Sequence, residues 1–337
     1  MSTTSEAATV HAQSTVIDLH GDTLMWMKRG YDFFKRHRRT PLSAMFSHID
    51  EPRMRMGGQA AQVFGLVTQP FGLGSAFRSA SRQVELLHEA ARAHPDRLHV
   101  VTEAADIREA NRRGARAGLL GLEGVHALEG DLNNLNRLAG QGLRLCGISH
   151  FSKNPAARPA IGWGRDDRLG LTPFGEAIID RCHELGVLVD LAHINRVGFF
   201  EAARRSRDPV VVSHTGVCGV TNIRRNIDDE QIRAVADTGG VVGIIYAFNF
   251  VGGTSIEAVV NHLEHTVRVG GEDCAALGSD FDGTIVPVRG LSDAADLPNL
   301  TAALLRRGMR SEVVQKILGV NVMRVLEAVP QRAYKAG

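Results

Sequence analysis

The residues in this chain that can do chemistry recur in one position, at the end of a short apolar run. Val16-Ile17-Asp18-Leu19-His20-Gly21-Asp22 finishes on two metal-capable side chains one residue apart. In an extended strand residues i and i+2 project to the same side, so His20 and Asp22 leave the strand together. An imidazole nitrogen and a carboxylate oxygen both suit a zinc-like divalent cation. Taken alone, the pair reads equally well as a hydrogen-bonded strand end. Other runs finish the same way: Gly118–Leu122 with Glu123 and His126, Leu143–Ile148 with His150, Val187–Leu191 with His193, Val210–Val212 with His214, and Ala275–Leu277 with Asp280 and Asp282. Ala61–Val67 carries Gln62, and Val241–Ile245 leads into Tyr246. One strand-end histidine is ordinarily structural. Six such ends on one face demand partners for many desolvated polar groups, and a metal centre supplies them. Two ions fit better than one. His20, Asp22, His193 and His214 offer four terminal ligands and Glu123 a bridge, and two divalent ions ~3.5–4 Å apart can hold a hydroxide and polarise a carbonyl. Asp280 stands where it can move protons.

The elements that must position these groups are the eight runs themselves. Their nearly continuous Val, Ile and Leu content suits strands buried on both faces. Helical patterns separate them: Arg82–Ala93, Phe174–Glu184 after Pro173, Gln231–Asp237 behind Asp228-Asp229-Glu230, Glu257–Val269, Leu300–Arg307 and Ser311–Leu326. Eight strands alternating with helices predict one (β/α)8 barrel, whose active site lies at the C-terminal strand ends. The long irregular segment Lys28–Met56 is a candidate lid. Residues 1–13 read as a flexible tail and 14–337 as a single barrel domain.

Composition excludes several classes. The 337 residues carry 39 basic and 37 acidic side chains, a net charge of +2, and only 5% aromatics. That gives no case for nucleic acid. The basic run Lys35-Arg36-His37-Arg38-Arg39 reads as a solvated loop. No stretch approaches the ~20 apolar residues of a membrane span, and neither a leader pattern nor a hydrophobic anchor signal is seen. Cys146, Cys182, Cys218 and Cys274 are scattered, as in free thiols of a reducing cytosol, so a cytoplasmic location is expected. A homodimer is compatible with the sequence. His11, His37, His48, His88, His94 and His99 read as surface residues and His183 as part of a helix. His262 and His265 can share a helix face but lie far from any strand end.

At this point the ordered motifs resemble a known family. They are Asp18-x-His20-x-Asp22, Gly121-Leu122-Glu123-Gly124-x-His126, Ser149-His150-x-x-x-Asn154, Gly170-Leu171-Thr172-Pro173-Phe174-Gly175, Asp190-Leu191-Ala192-His193, Val212-Ser213-His214, Arg224-Arg225-Asn226 with Asp228-Asp229, Gly278-Ser279-Asp280-Phe281-Asp282-Gly283, and Asn321-x-x-Arg324. Together they resemble the membrane dipeptidase (renal dipeptidase) family of zinc metallopeptidases, in the amidohydrolase superfamily. The resemblance implies two zinc ions, one on His20 and Asp22 and one on His193 and His214, bridged by Glu123. It implies dipeptide cleavage by a metal-bridging hydroxide, with Asp280 as proton shuttle. It implies that His150 contacts substrate and tetrahedral intermediate, and that Arg225 pairs with the substrate carboxylate, a role its guanidinium fork suits. Tyr246 stands as a further substrate contact. Gly21 replaces an asparagine frequent in the family, and Tyr246-Ala247-Phe248-Asn249-Phe250 departs from its usual run. Substrate identity is therefore open between a dipeptide and another small carboxylate-bearing amide, such as an N-acyl amino acid or lactam. Intact ligand positions argue against a non-catalytic relative. His20-Gly21-Asp22 argues against a barrel deoxyribonuclease, which typically opens His-x-His.

Overall fold

In the computed structural model, which describes residues 3–40, 44–68 and 74–332, the apolar runs form parallel strands. They are β1 (Val16–Gly21), β2 (Gln59–Val67), β3 (Leu98–Val100), β4 (Arg116–Glu123), β5 (Leu143–Gly147), β6 (Leu188–Asp190), β7 (Val211–Thr215), β8 (Val241–Ile244) and β9 (Ala275–Leu277). The order is β2-β1-β9-β8-β7-β6-β5-β4, and β2 pairs with β4 from Ala61↔Ala117 to Val67↔Glu123, closing an eight-stranded (β/α)8 barrel. The extra strand β3 pairs with the start of β4. Three residues, of which only Leu98 is fully buried, gave it no signal in the sequence.

The barrel interior has two levels. Below, Ile17, Leu19, Val63, Leu119, Leu145, Leu188, Val211 and Val241 meet Val322, Val325 and Leu326 of the helix Asn321–Ala328, which plugs the floor. Arg144 on β5, fully buried, donates to the carbonyls of Thr102 (2.7 Å) and Leu326 (3.3 Å) and to those of Gly186 and Val329, fastening that plug. Above the apolar level the strand ends turn polar.

Helix boundaries follow local chemistry. Pro173–Leu185 starts with proline after the Thr172 cap and stops at Gly186, whose φ of 66° suits the left-handed position. Asp228 and Gln231 form a capping box for Asp229–Asp237. Ser311–Leu326, expected as one helix, is broken by a π turn at Lys316–Val320. A Cβ on Gly319 would lie 1.8 Å from the Thr15 carbonyl, so close approach to the strand entry requires glycine there.

Two expectations are corrected. Thr3–Gln13 is a helix rather than a flexible tail, because Ala7 and Val10 bury one face and His11 bonds Thr301 Oγ1 (2.7 Å) and the Gly57 carbonyl (2.9 Å). His11 and His48 are accordingly buried and not surface residues. In the segment Lys28–Met56, residues 41–43 lie outside the described part. The rest carries the helix Glu51–Met56 and brings Met45 to the mouth of the barrel.

Candidate metal centre

Strict strand alternation would aim two of the sequence-selected histidines the wrong way. Ile17 and Leu19 face the barrel interior, so an unbroken β1 would turn His20 outward. Val211 likewise faces in, which would turn His214 out. Both strands slip register where it matters: β1 between Asp18 and Gly21, β7 between Val212 and Thr215. A bulge re-aims the side chains beyond it, and both imidazoles swing inward, stacked at 4.0 Å. Gly65 on β2 leaves the space that His20 and Asp22 need, since a Cβ there would lie 2.4 Å from Asp22 Oδ1 and 3.1 Å from His20 Cε1. His193 and Asp280 are held at φ of 65° and 60°, conformations that cost energy in non-glycine residues and cluster at functional sites.

These side chains converge on Glu123. Its Oε1 lies 3.1 Å from His193 Nε2, 3.3 Å from His150 Nε2, 3.5 Å from His20 Nε2 and 3.6 Å from His214 Nε2. His20 Nε2 is 3.2 Å from Asp22 Oδ1 and 3.9 Å from Asp280 Oδ1. His193 and His214 approach Nε2 to Nε2 at 2.7 Å. Yet His20 Nε2, Asp22 Oδ1 and Glu123 Oε2 are buried without a hydrogen-bond partner, an expensive arrangement for a protein interior. Nitrogen and carboxylate lone pairs left bare and aimed at one another fit divalent cations.

The electrostatics differ among the ligands: burial opposes a charge on His20, but Glu123 and Asp22 beside it hold that ring well above the usual histidine range, so its surroundings favour positive charge. Burial, with Arg225 near His193 and the other histidines near His214, holds both rings well below the usual histidine range, neutral and ready to ligate. Burial and the Glu123 carboxylate push Asp22 up to about 6. Burial, Asp22 and Glu123 push Asp280 well above the carboxylate range. Burial opposes ionisation of Glu123 too, but His150, His20 and His193 around it hold its carboxyl well below the usual range. Three crowded carboxylates are strained without cations and relieved by them.

A second layer, missed in the sequence, orients the ligands. Asp190 Oδ1 accepts from the N–H groups of Ala192 (3.0 Å) and Ser213 (2.9 Å), and its Oδ2 accepts from Ser213 Oγ (2.6 Å). With its own proton committed to Asp190, Ser213 Oγ accepts from His214 Nδ1 at 3.0 Å. That leaves the Nε2 lone pair free for a metal. Asp18 does a parallel job on β1, accepting from the N–H groups of His20 and Ser279, both at 3.0 Å. The available signal was a buried acid inside an apolar run, shortly before His20 and His193, with Ser213 in that place before His214. Ser213→Ala should weaken metal retention by ~10–100-fold while Ser213→Thr keeps it, as read by chelator competition. Equal retention in the two variants would count against the relay.

Other sequence-selected residues divide. His150 lines the cavity above Glu123. Arg225 is buried beside the cluster, donating to the His214 carbonyl (2.9 Å) and, weakly, to Thr215 Oγ1 (3.5 Å), while its Nε has no partner. Tyr246 does not reach the cavity. It is fully buried with its ring against Phe281, so its place as a substrate contact is withdrawn. Asp282 is a clamp: its carboxylate accepts from Thr23 Oγ1 (2.7 Å) and His48 N (2.6 Å), and its own N–H donates to His48 Nδ1 (2.9 Å). His262 accepts from Val217 N–H (2.9 Å) and His265 pairs with Asp229 (2.6 Å), so neither ring serves a metal.

Comparison with known proteins bears on this geometry. Residues 4–336 match the family described as membrane dipeptidase, peptidase family M19. A dipeptidase of Claviceps purpurea, tcpJ, is 29% identical over 326 residues, covering 93% of this chain and 76% of its own. A metallopeptidase of Rhodobacter sphaeroides, solved with a phosphinate mimic of L-Ala-D-Ala, superposes with a TM-score of 0.81 at 27% identity, over 94% of this chain and 99% of that one. An amidohydrolase of Pseudomonas aeruginosa gives 0.79 at 25%, over 96% and 98%. A family match across nearly the whole chain, on a barrel whose strand ends carry a buried cluster of metal-binding side chains, makes this chain a member of the membrane dipeptidase family, peptidase family M19, and a metallo-dipeptidase.

Proposed function

We propose that the enzyme hydrolyses dipeptides at a binuclear zinc centre held by His20, Asp22, His193 and His214, with Glu123 shared between the ions. The observation that carries this reading is the set of buried, unpartnered donor atoms on His20, Asp22 and Glu123, gathered within reach of His193 and His214. Bound there, a pair of divalent ions supplies Lewis acidity and a water acidic enough to be a nucleophile near neutral pH. The chain's own groups do the rest. Asp280, at the cavity floor, takes a proton from the nucleophile and returns one to the leaving amine. His150, kept neutral by burial, offers a ring N–H to the oxygen that gains charge. Arg225 holds the substrate carboxylate through guanidinium N–H groups that meet few partners within the protein. The four cysteines are free thiols, in keeping with a cytoplasmic enzyme. No described helix is long and apolar enough to cross a membrane.

Elemental analysis of purified protein, coupled with a screen of L-L and L-D dipeptides, tests the reading. About two ions per chain and turnover are expected; one ion or none in active protein would overturn the binuclear claim. Arg225→Lys keeps the charge but loses the fork. It should cut kcat/KM for free dipeptides by ~10²-fold, and for C-terminally amidated ones far less. Equal losses would remove Arg225 from carboxylate binding.

A further inference from the structure

We infer that the apolar wall above the metal ligands is a subsite selecting an uncharged, apolar side chain on the residue N-terminal to the cleaved amide. This rests on the dipeptidase reading. The cavity over the cluster has a volume of about 430 Å³, within the range of small-ligand sites. Its floor is Asp22, Glu123, His150, His193 and Asp280. Its wall is Met45, Phe151, Phe248, Phe250, Ile285 and Val286, drawn from the loops after β1, β5, β8 and β9, with Asn249 and Thr284 the only polar side chains among the described residues of the wall. Among the described residues, every formal charge lining the cavity therefore belongs to the floor.

The wall is also where the chain exposes apolar surface. Met45 (43%), Phe151 (41%), Phe248 (41%) and Val286 (38%) are four of the nine large apolar side chains exposed among the described residues. Single exposed apolar residues need no explanation, but a group of them around one opening marks a binding surface. The wall is pre-formed: Phe248 N–H donates to the Val286 carbonyl at 3.2 Å, and Ala247 bridges to Pro287. Ordering it on binding therefore costs little.

Two cavities fix which half of the substrate lies here. Arg225 lines a second one, about 460 Å³, together with Arg224 and Asn226, and His193 lines both. Arg224 is occupied by Asp167 at 2.7 Å, and Arg196, also on this lining, by Asp228 at 2.7 Å, which leaves Arg225 to take the carboxylate. A dipeptide anchored there with its amide at His193 and Glu123 directs its N-terminal residue to the apolar wall. A charged side chain on that residue would lie against apolar groups, with no counterion among the described wall residues.

The test is kcat/KM of the zinc-loaded enzyme for dipeptides X-Ala, with X as Gly, Leu, Phe, Asp or Lys. Leu and Phe should exceed Gly by at least ~10-fold, and Asp and Lys should fall ~10²-fold below Leu. Val286→Lys, at an exposed position that tolerates charge, should raise the Asp-Ala to Leu-Ala ratio by at least ~10-fold, because it places a counterion on the wall. Flat rates across X, or an unchanged ratio in Val286→Lys, would overturn the subsite while leaving the dipeptidase reading intact. Failure to cleave any member would overturn that reading and the subsite with it.

Discussion

Glu123→Gln is expected to release both metal ions together and to lower kcat/KM by ~10³-fold or more, the scale of losing a metal's charge stabilisation. The geometry makes this side chain singular. One of its oxygens lies within 3.1–3.6 Å of the Nε2 atoms of His20, His150, His193 and His214, and the other is buried without a partner. Glutamine keeps the volume but loses the charge. It also replaces one acceptor oxygen by an NH2 group, which has no lone pair for a cation. Whichever way the amide turns, one face of the bridge is lost. Asp22→Asn is the control, since Asp22 serves only the His20 side and its loss should empty one site. Elemental analysis after dialysis, beside a thermal melt showing that the barrel is intact, gives the readout. Full occupancy of one ion in Glu123→Gln would show that Glu123 is a terminal ligand and not a bridge.

The barrel was legible because burial on both faces leaves a plain mark: runs of Val, Ile and Leu, each closed by a polar residue. The eight runs correspond to the eight barrel strands. Five ligand candidates stood out because the ends of so many runs carry a histidine or acid, and that many desolvated polar groups on one face need partners. What the sequence hid lies one step away from periodicity. The bulges in β1 and β7 that turn His20 and His214 inward have no sequence symbol. Alternation counted from Ile17 or Val211 would have pointed both away from Glu123. Asp190 and Ser213 sit inside strand ends, and their partnership exists only because β6 and β7 are neighbours. Tyr246 was misplaced because its position after the β8 run says nothing of which way the ring turns, and packing against Phe281 decided it. His11 shows the reverse error, a short polar-looking stretch whose buried face became clear only once the helix Leu297–Arg306 gave it something to pack on.

Asp280→Asn is expected to keep both metals and leave KM nearly unchanged while lowering kcat by ~10²-fold or more. The substitution is unusually clean. Asp280 sits at φ of 60°, and asparagine tolerates that conformation as well as aspartate does, so the loop Asp280–Gly283 should hold its course. Gly283 leaves room for the side chain, since a Cβ there would lie 2.3 Å from Asp280 Oδ1. The competing role is that of a ligand, because an oxygen of Asp280 lies with donor atoms of His20 and Asp22, all within 4.8 Å of one another. The two roles separate by readout. A proton shuttle leaves metal content intact and loses turnover, whereas a ligand loses metal first. Burial, with Asp22 and Glu123 nearby, raises the proton affinity of the Asp280 carboxylate, which suits a group that takes a proton from the nucleophile and hands it on to the leaving amine. Asp282, two residues on, cannot take over the task, because both of its carboxylate oxygens are committed to Thr23 and His48. Full metal occupancy with normal turnover in Asp280→Asn would therefore remove both roles from this loop. It would leave His150, 3.3 Å from Glu123, as the remaining cavity-lining group able to move a proton.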